Sequence, residues 1–249
     1  MSSIQRYSNS KQSFGANWVP FVGFFYRRTW LFLCLAGLFS LSSAQAKNEE
    51  ATPTGLPSIG KFMLDKDKTS TWPQASGGKK TQIDEPINVI VRVHAPNRTQ
   101  ATALLMRAMV TAGFGPASGH TGGYTALING HIYHQISTGD GQTFSDASFM
   151  TTNDHCRFFG PMFWSKDGNY YFAGDVSRET PNYQNLAQYG NTYFHSYVSF
   201  AQARKNLSDA LESRAGARNF GMIRLGNTLK INAESTGDHD GSAVLLELQ

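Results

Sequence analysis

The stretch PINVIVRVHAPNRTQATALLMRAMVTAG, residues 86–113, changes its hydrophobic period once, and that change decides the fold class. From Pro86 to His94 the run is dense in β-branched residues. Ile87, Val89, Val91 and Val93 fall on one face and Ile90 on the other, which predicts a largely buried strand. Asn97 then stands where an N-cap belongs, and Ala101, Leu104, Leu105, Ala108, Met109 and Ala112 recur at helical spacing until Gly113 ends the run. A buried strand that hands over to an amphipathic helix is a unit of a mixed α and β protein.

Downstream, one more helix is predicted, from Phe200 to about Ser213, with Ser199 as its cap and Ala203, Leu207, Ala210 and Leu211 on one stripe. Strands fill the rest: GHIYHQIS, HCRFFG, YYFAGDVS and TYFHSYV lie between the helices, and GMIRL, a short TLKI and SAVLLEL close the chain. The order predicts an α+β single domain, a mostly antiparallel or mixed β-sheet with two principal helices packed on one side.

Upstream, residues 47–82 mix Pro, Gly, Ser, Thr and charges and read as a flexible linker, with Phe62 to Leu64 as a brief apolar interruption that docks locally. The first 46 residues read as a leader. They carry no acidic residue, place Arg27 and Arg28 before TWLFLCLAGLFSL and end in AQA at Ala44 to Ala46, the charged, apolar and small-residue regions of a signal cleaved after Ala46. The apolar run is shorter than the roughly 20 residues that span a bilayer. An uncleaved anchor is the alternative, since WVPFVGFFY adds a second apolar patch, and YRRTWLF loosely resembles a twin-arginine signal. The expected location is therefore exported, periplasmic or secreted, with a membrane-anchored leader as the alternative.

The leader also accounts for the formal charge of +4. Arg6, Lys11, Arg27 and Arg28 lie within it, so the body after residue 46 is formally neutral and carries no electrostatic footprint for nucleic acid. Cys156 is the one cysteine after the leader, so no disulfide forms within the domain, and aromatic residues are the expected core material.

The densest cluster of reactive residue types is TTNDHCRFFG, residues 151–160. On a strand Asn153, His155 and Arg157 share one face, while Asp154, Cys156 and Phe158 share the other. Neighbouring His155 and Cys156 thus point apart, which disfavours a nucleophilic dyad, and Cys156 reads as a small buried apolar residue. His155 and Arg157 together can donate to an anionic group. The alternative is a sheet-face ion pair with Asp175 or Glu179 on the next strand, reached through the turn-like KDGN at Lys166 to Asn169.

NDHCRFFG, together with FHSYVSFAQARKNLSDAL at 194–211 and GDHDGSAVLLEL at 237–248, resembles the LssY C-terminal domain family in ordered succession. INVIVRVH followed by a helix ending in AGF at 112–114 is similar to that family's opening, so the resemblance spans about Pro86 to Leu248. It implies a bacterial envelope domain without an established activity, which in some members follows membrane segments of the DedA type or a lipid-phosphatase unit. An envelope or membrane-associated partner is the partner class this context implies. The matching positions are His155, Arg157, His195, Arg204, Asp240 and Gly241. Where the family is acidic around its helix Arg, this chain has Ala203 and Lys205, and Ser196 follows His195, which weakens any carboxylate metal site.

Other features carry less. His131 and His134, three apart on a strand, face opposite ways. GFGPASGHTGG at 113–123 lacks the Gly-Lys-Ser/Thr ending of a phosphate loop, GDHDG at 237–241 reads as a turn before it reads as a cation loop, and Ser177 has no nucleophile elbow around it. No spacing specifies a metal or a cofactor. Two functions follow as expectations. One is an accessory or ligand-binding module with His155, Arg157, His195, Arg204 and Asp240 as an anion-receptive face or a polar network. The other is a phosphoester hydrolase in which His155 or His195 is nucleophile or general acid and the two arginines steady the phosphoryl charge.

Overall fold

The computed structural model describes residues 49–249 except 67, 77–78, 119–121, 140–142, 183–194 and 232–233, so the leader reading on residues 1–46 lies outside the described residues. In chain order, β1 (Glu50–Ala51), β2 (Ile59–Gly60), β3 (Leu64–Asp65), β4 (Lys68–Thr69), β5 (Thr71–Ser76) and β6 (Lys79–Asp84) precede β7 (Val89–Val93) and helix α1 (Arg98–Ala112). Then come β8 (Gly115–Ala117), β9 (Thr125–Ile128), β10 (His131–His134), β11 (Thr143–Ser145), β12 (Asn153–Trp164) and β13 (Asn169–Pro181). The chain finishes with β14 (His195–Ser199), α2 (Phe200–Ala215), β15 (Arg218–Arg224), β16 (Lys230–Ile231), β17 (Glu234–Ser235) and β18 (Ser242–Leu248). No described helix is long and apolar enough to cross a membrane.

The architecture is the expected α+β one. A central mixed sheet runs β15-β18-β7-β13-β12-β11-β8, with β14 paired to the far half of β13. Its one parallel pair is β18 with β7, and the long β12–β13 hairpin forms its centre. Both helices pack on one face. Their residues Ala101, Leu105, Met109, Ala203, Leu207 and Leu211 bury against Val89, Val91, Val93, Cys156, Phe158, Phe172 and Val176. The caps are the ones the sequence places: Asn97 and Ser199 accept from Gln100 N and Gln202 N, and Gly113 adopts the left-handed conformation. Opposite Phe158 the strand needs Gly174, because a Cβ there would sit 2.6 Å from the Phe158 ring.

The second face of the sheet carries a separate core, in which Ile90, Phe159, Tyr171, Ala173 and Leu245 meet Ile59, Met63, Ala126 and Ile128. Ile87 belongs to this second core, on the side of Ile90, and not with Val89 as period-two alternation expects. The strand has ended by then. Asn88 holds the place with its side chain, donating to Val176 O at 2.8 Å and accepting from Val176 N at 2.9 Å, and Ile87 N turns to Lys61 O.

The linker expectation for residues 47–82 is corrected in the same place. Leu56, Ile59, Phe62, Met63 and Leu64 are buried, and β1 to β4 join β9 and β10 in a small sheet over that core. Pro, Gly and Ser here separate strands of two residues, too short to show a period, and the Phe62 to Leu64 interruption is core.

Candidate functional site

Along β12 and β13 the second face changes character. Phe159, Tyr171 and Ala173 are apolar, and the next positions on the same face are Arg157, His155 and Asn153, opposed by Asp175, Ser177 and Glu179 in direct register. The predicted division of the TTNDHCRFFG cluster holds: Cys156 and Phe158 enter the helix-side core, and His155 and Arg157 point the other way. Cys156 is fully buried, and burial pushes its thiol well above the ordinary range, so it is no nucleophile.

His155 is 1% and Arg157 5% exposed, so this face is interior. Buried charges need partners, and the chain supplies them. Arg157 Nη1 donates to Glu85 Oε1 at 3.3 Å and its guanidinium lies 4.9 Å from the centre of the Tyr124 ring. Glu85 also accepts from the Ser70 hydroxyl. Glu179 lies between the two histidines, with His155 Nε2 2.9 Å from its Oε1 and His195 Nδ1 2.8 Å from its Oε2, and it accepts from Ser177 Oγ at 3.2 Å. His155 Nε2 is also 3.2 Å from Arg157 Nη1, which closes a chain from Glu85 to His195.

Charge follows from these contacts. Burial disfavours the Glu179 carboxylate, yet His155 and His195 outweigh it and bring the group down to about 2. Asp175 behaves oppositely. Fully buried, with neither carboxyl oxygen hydrogen-bonded among the described residues and Glu85 nearby, it is held well above the usual carboxylate range. Burial likewise raises Glu85, with Arg157 opposing. His195 has acceptors at both nitrogens, the Glu179 carboxylate at Nδ1 and the Phe149 carbonyl at Nε2, so both nitrogens carry protons; burial opposes this, but Glu179 prevails and raises its pKa. Phe149 also stacks on the ring at 5.8 Å.

Arg204 and Asp240 form a second, separate arrangement. Arg204, in the second turn of α2, gives two hydrogen bonds to Asp240, Nη1 to Oδ1 at 2.9 Å and Nη2 to Oδ2 at 2.7 Å, and Nη1 also donates to Ser242 O at 2.5 Å. That fork brings the Asp240 carboxyl down to about 2. The whole GDHDG turn is a clasp. Asp238 accepts from Phe200 N at 2.8 Å, from Ser199 Oγ at 2.5 Å and from the Tyr197 hydroxyl, a carboxylate on the N-terminus of α2. His239 Nε2 lies 2.8 Å from Asn227 Oδ1, and Asn227 Nδ2 donates to Lys61 O and Ile87 O, at 2.7 and 2.8 Å. Burial and Arg204 bring His239 down to about 4.

Of the sequence-predicted residues, the structure joins His155 and His195 through Glu179, brings Arg157 beside His155, and gives Arg204 and Asp240 to each other. The expected anion-receptive face is occupied by the chain's own carboxylates. Glu85, Ser70 and Tyr124 complete the layer from outside the sheet, and nothing in the run DEP at 84–86 singled Glu85 out. Among the described residues no group of three or more His, Cys, Asp and Glu side chains is arranged to hold a metal ion. Comparison with known families, with curated proteins and with solved structures finds no match to this chain.

Proposed function

We propose that this chain is an exported envelope protein whose domain, of LssY C-terminal type, works as an accessory or ligand-binding module and not as a catalyst. The observation that carries the reading is the internal matching of charge. Arg157 is held by Glu85, Arg204 by Asp240, and both histidines by Glu179. In a hydrolase of the expected type a histidine nucleophile needs a ring nitrogen with a free lone pair, a histidine general acid needs an N–H free to reach the leaving oxygen, and both need guanidinium groups open to the transferring phosphoryl. His195 spends both nitrogens on acceptors, and Arg204 belongs to the clasp on α2 and not to the His155 layer. Export and the envelope setting rest on the leader pattern and the motif succession read from the sequence.

A panel of phosphomonoesters and phosphodiesters offered to the full chain, beside His155→Ala and His195→Ala, tests this reading. No turnover by any of the three proteins is the expected result. Turnover by the parent chain that disappears in either variant while the variant remains folded would establish the hydrolase.

A further inference from the structure

We infer that the groove between β10 and the first turns of α1 binds an oxyanion, a carboxylate or phosphate, carried on an apolar body. The inference rests on the module reading above and gives it a place on the molecule. The groove is about 580 Å³ in volume. Arg98 and Thr102, one helical turn apart on α1, form one wall; β10 forms the other, with His131 and His134 at its two ends on alternate faces of the strand. Among the described residues no carboxylate lines it. That sets it apart from the buried layer, where each cation is matched. At the tip of the β9–β10 hairpin, Glu50 accepts from Gly130 N at 3.0 Å through both oxygens.

Three further features fit the same ligand class. Arg98 is placed 5.9 Å from the centre of the Tyr133 ring, an arrangement that holds the guanidinium over the groove. Gln135, also lining it, has an amide whose nitrogen and oxygen are both buried with no hydrogen-bond partner among the described residues, so its NH₂ is an unspent donor in the groove's wall. Ile132 is 52% exposed and Pro161 also lines the groove, which supplies apolar surface beside the Arg98 guanidinium. Charge complementarity thus selects an oxyanion, and the exposed isoleucine selects an anion with an apolar part over a bare one.

Calorimetric titration of the full chain with phenyl phosphate, benzoate and inorganic phosphate tests this. Phenyl phosphate and benzoate are expected to bind more tightly than inorganic phosphate. Arg98→Ala is expected to weaken phenyl phosphate about ten-fold or more, as loss of a charge-assisted hydrogen bond does. His134→Ala weakens it less, and Ile132→Asn weakens phenyl phosphate while leaving inorganic phosphate unchanged. No binding of any probe, or binding that Arg98→Ala and His134→Ala both leave unchanged, overturns the groove. Release of phenol from phenyl phosphate is followed in the same samples. Its appearance would overturn the module reading and leave the assignment of the groove to the binding data.

Discussion

His195 gives its Nδ1 proton to Glu179 Oε2 across 2.8 Å, while the other oxygen of that carboxylate lies 2.9 Å from His155. One side chain on β13 therefore ties β12 to β14. Glu179 is pulled from its ordinary 4.5 to about 2, and His195 is raised above its ordinary 6.5. A lowered carboxylate contributes stability that is complete above about 4.5 and is lost as pH falls toward 2; a raised histidine contributes stability that is complete below 6.5 and is lost as pH rises through its folded value. Urea unfolding measured from pH 2 to 9 is expected to show greatest stability between those limits from this pair. Glu179→Gln removes both limbs of that dependence and costs about 3–5 kcal/mol at pH 6, the scale for breaking a buried ion pair. An unchanged profile in the variant would contradict the assignment.

The clasp predicts a cap effect from a residue 38 positions from the helix it caps. Asp238→Ala is expected to cost about 1–2 kcal/mol in denaturant unfolding, as loss of a capping side chain does. A double-mutant cycle with Ser199→Ala should show coupling, since Ser199 Oγ donates to Asp238 Oδ2. Strict additivity would mean that the two act separately.

Gly174 predicts a steric effect. Its alanine variant places a methyl group 2.6 Å from the Phe158 ring, so it is expected to destabilise by about 1–3 kcal/mol, and Phe158→Leu in the same chain is expected to recover part of that loss. Thermal unfolding of the single and double variants measures both.

Residues 49–84 predict a loss where a tether would show none. Met63→Ala is expected to cost about 2–5 kcal/mol, because Met63 is fully buried against Ile59, Ile90 and their neighbours. Equal unfolding midpoints for the variant and the parent chain would return this stretch to the status of a linker.

The parts legible in the sequence are those governed by short-range period and caps. Asn97, Gly113 and Ser199 mark helix ends through local hydrogen bonds, and alternation alone parts His155 and Arg157 from Cys156 and Phe158. Alternation fails at Ile87, one residue before Asn88, whose side chain extends the ladder to Val176 while Ile87 N leaves it for Lys61 O, and it is silent for two-residue strands such as Ile59–Gly60. Glu179 was within reach as the cross-strand acid. Glu85 was not, because it meets Arg157 from 72 positions away, and no spacing encodes that closure. GDHDG shows its turn in composition, but its three grips on Phe200, Asn227 and Arg204 depend on where the tertiary fold brings those residues.

The protonation of His195 tests the central claim most directly, because a nucleophile needs an imidazole nitrogen that bears no proton, and a general acid needs a proton that Glu179 and the Phe149 carbonyl do not already hold. Nitrogen-15 NMR of the His195 ring at pH 6, assigned by comparison with His195→Gln, reads both nitrogens. The account predicts that Nδ1 and Nε2 are both protonated and that Glu179→Gln removes one of those protons. A neutral His195 ring with an unprotonated Nε2 would contradict it.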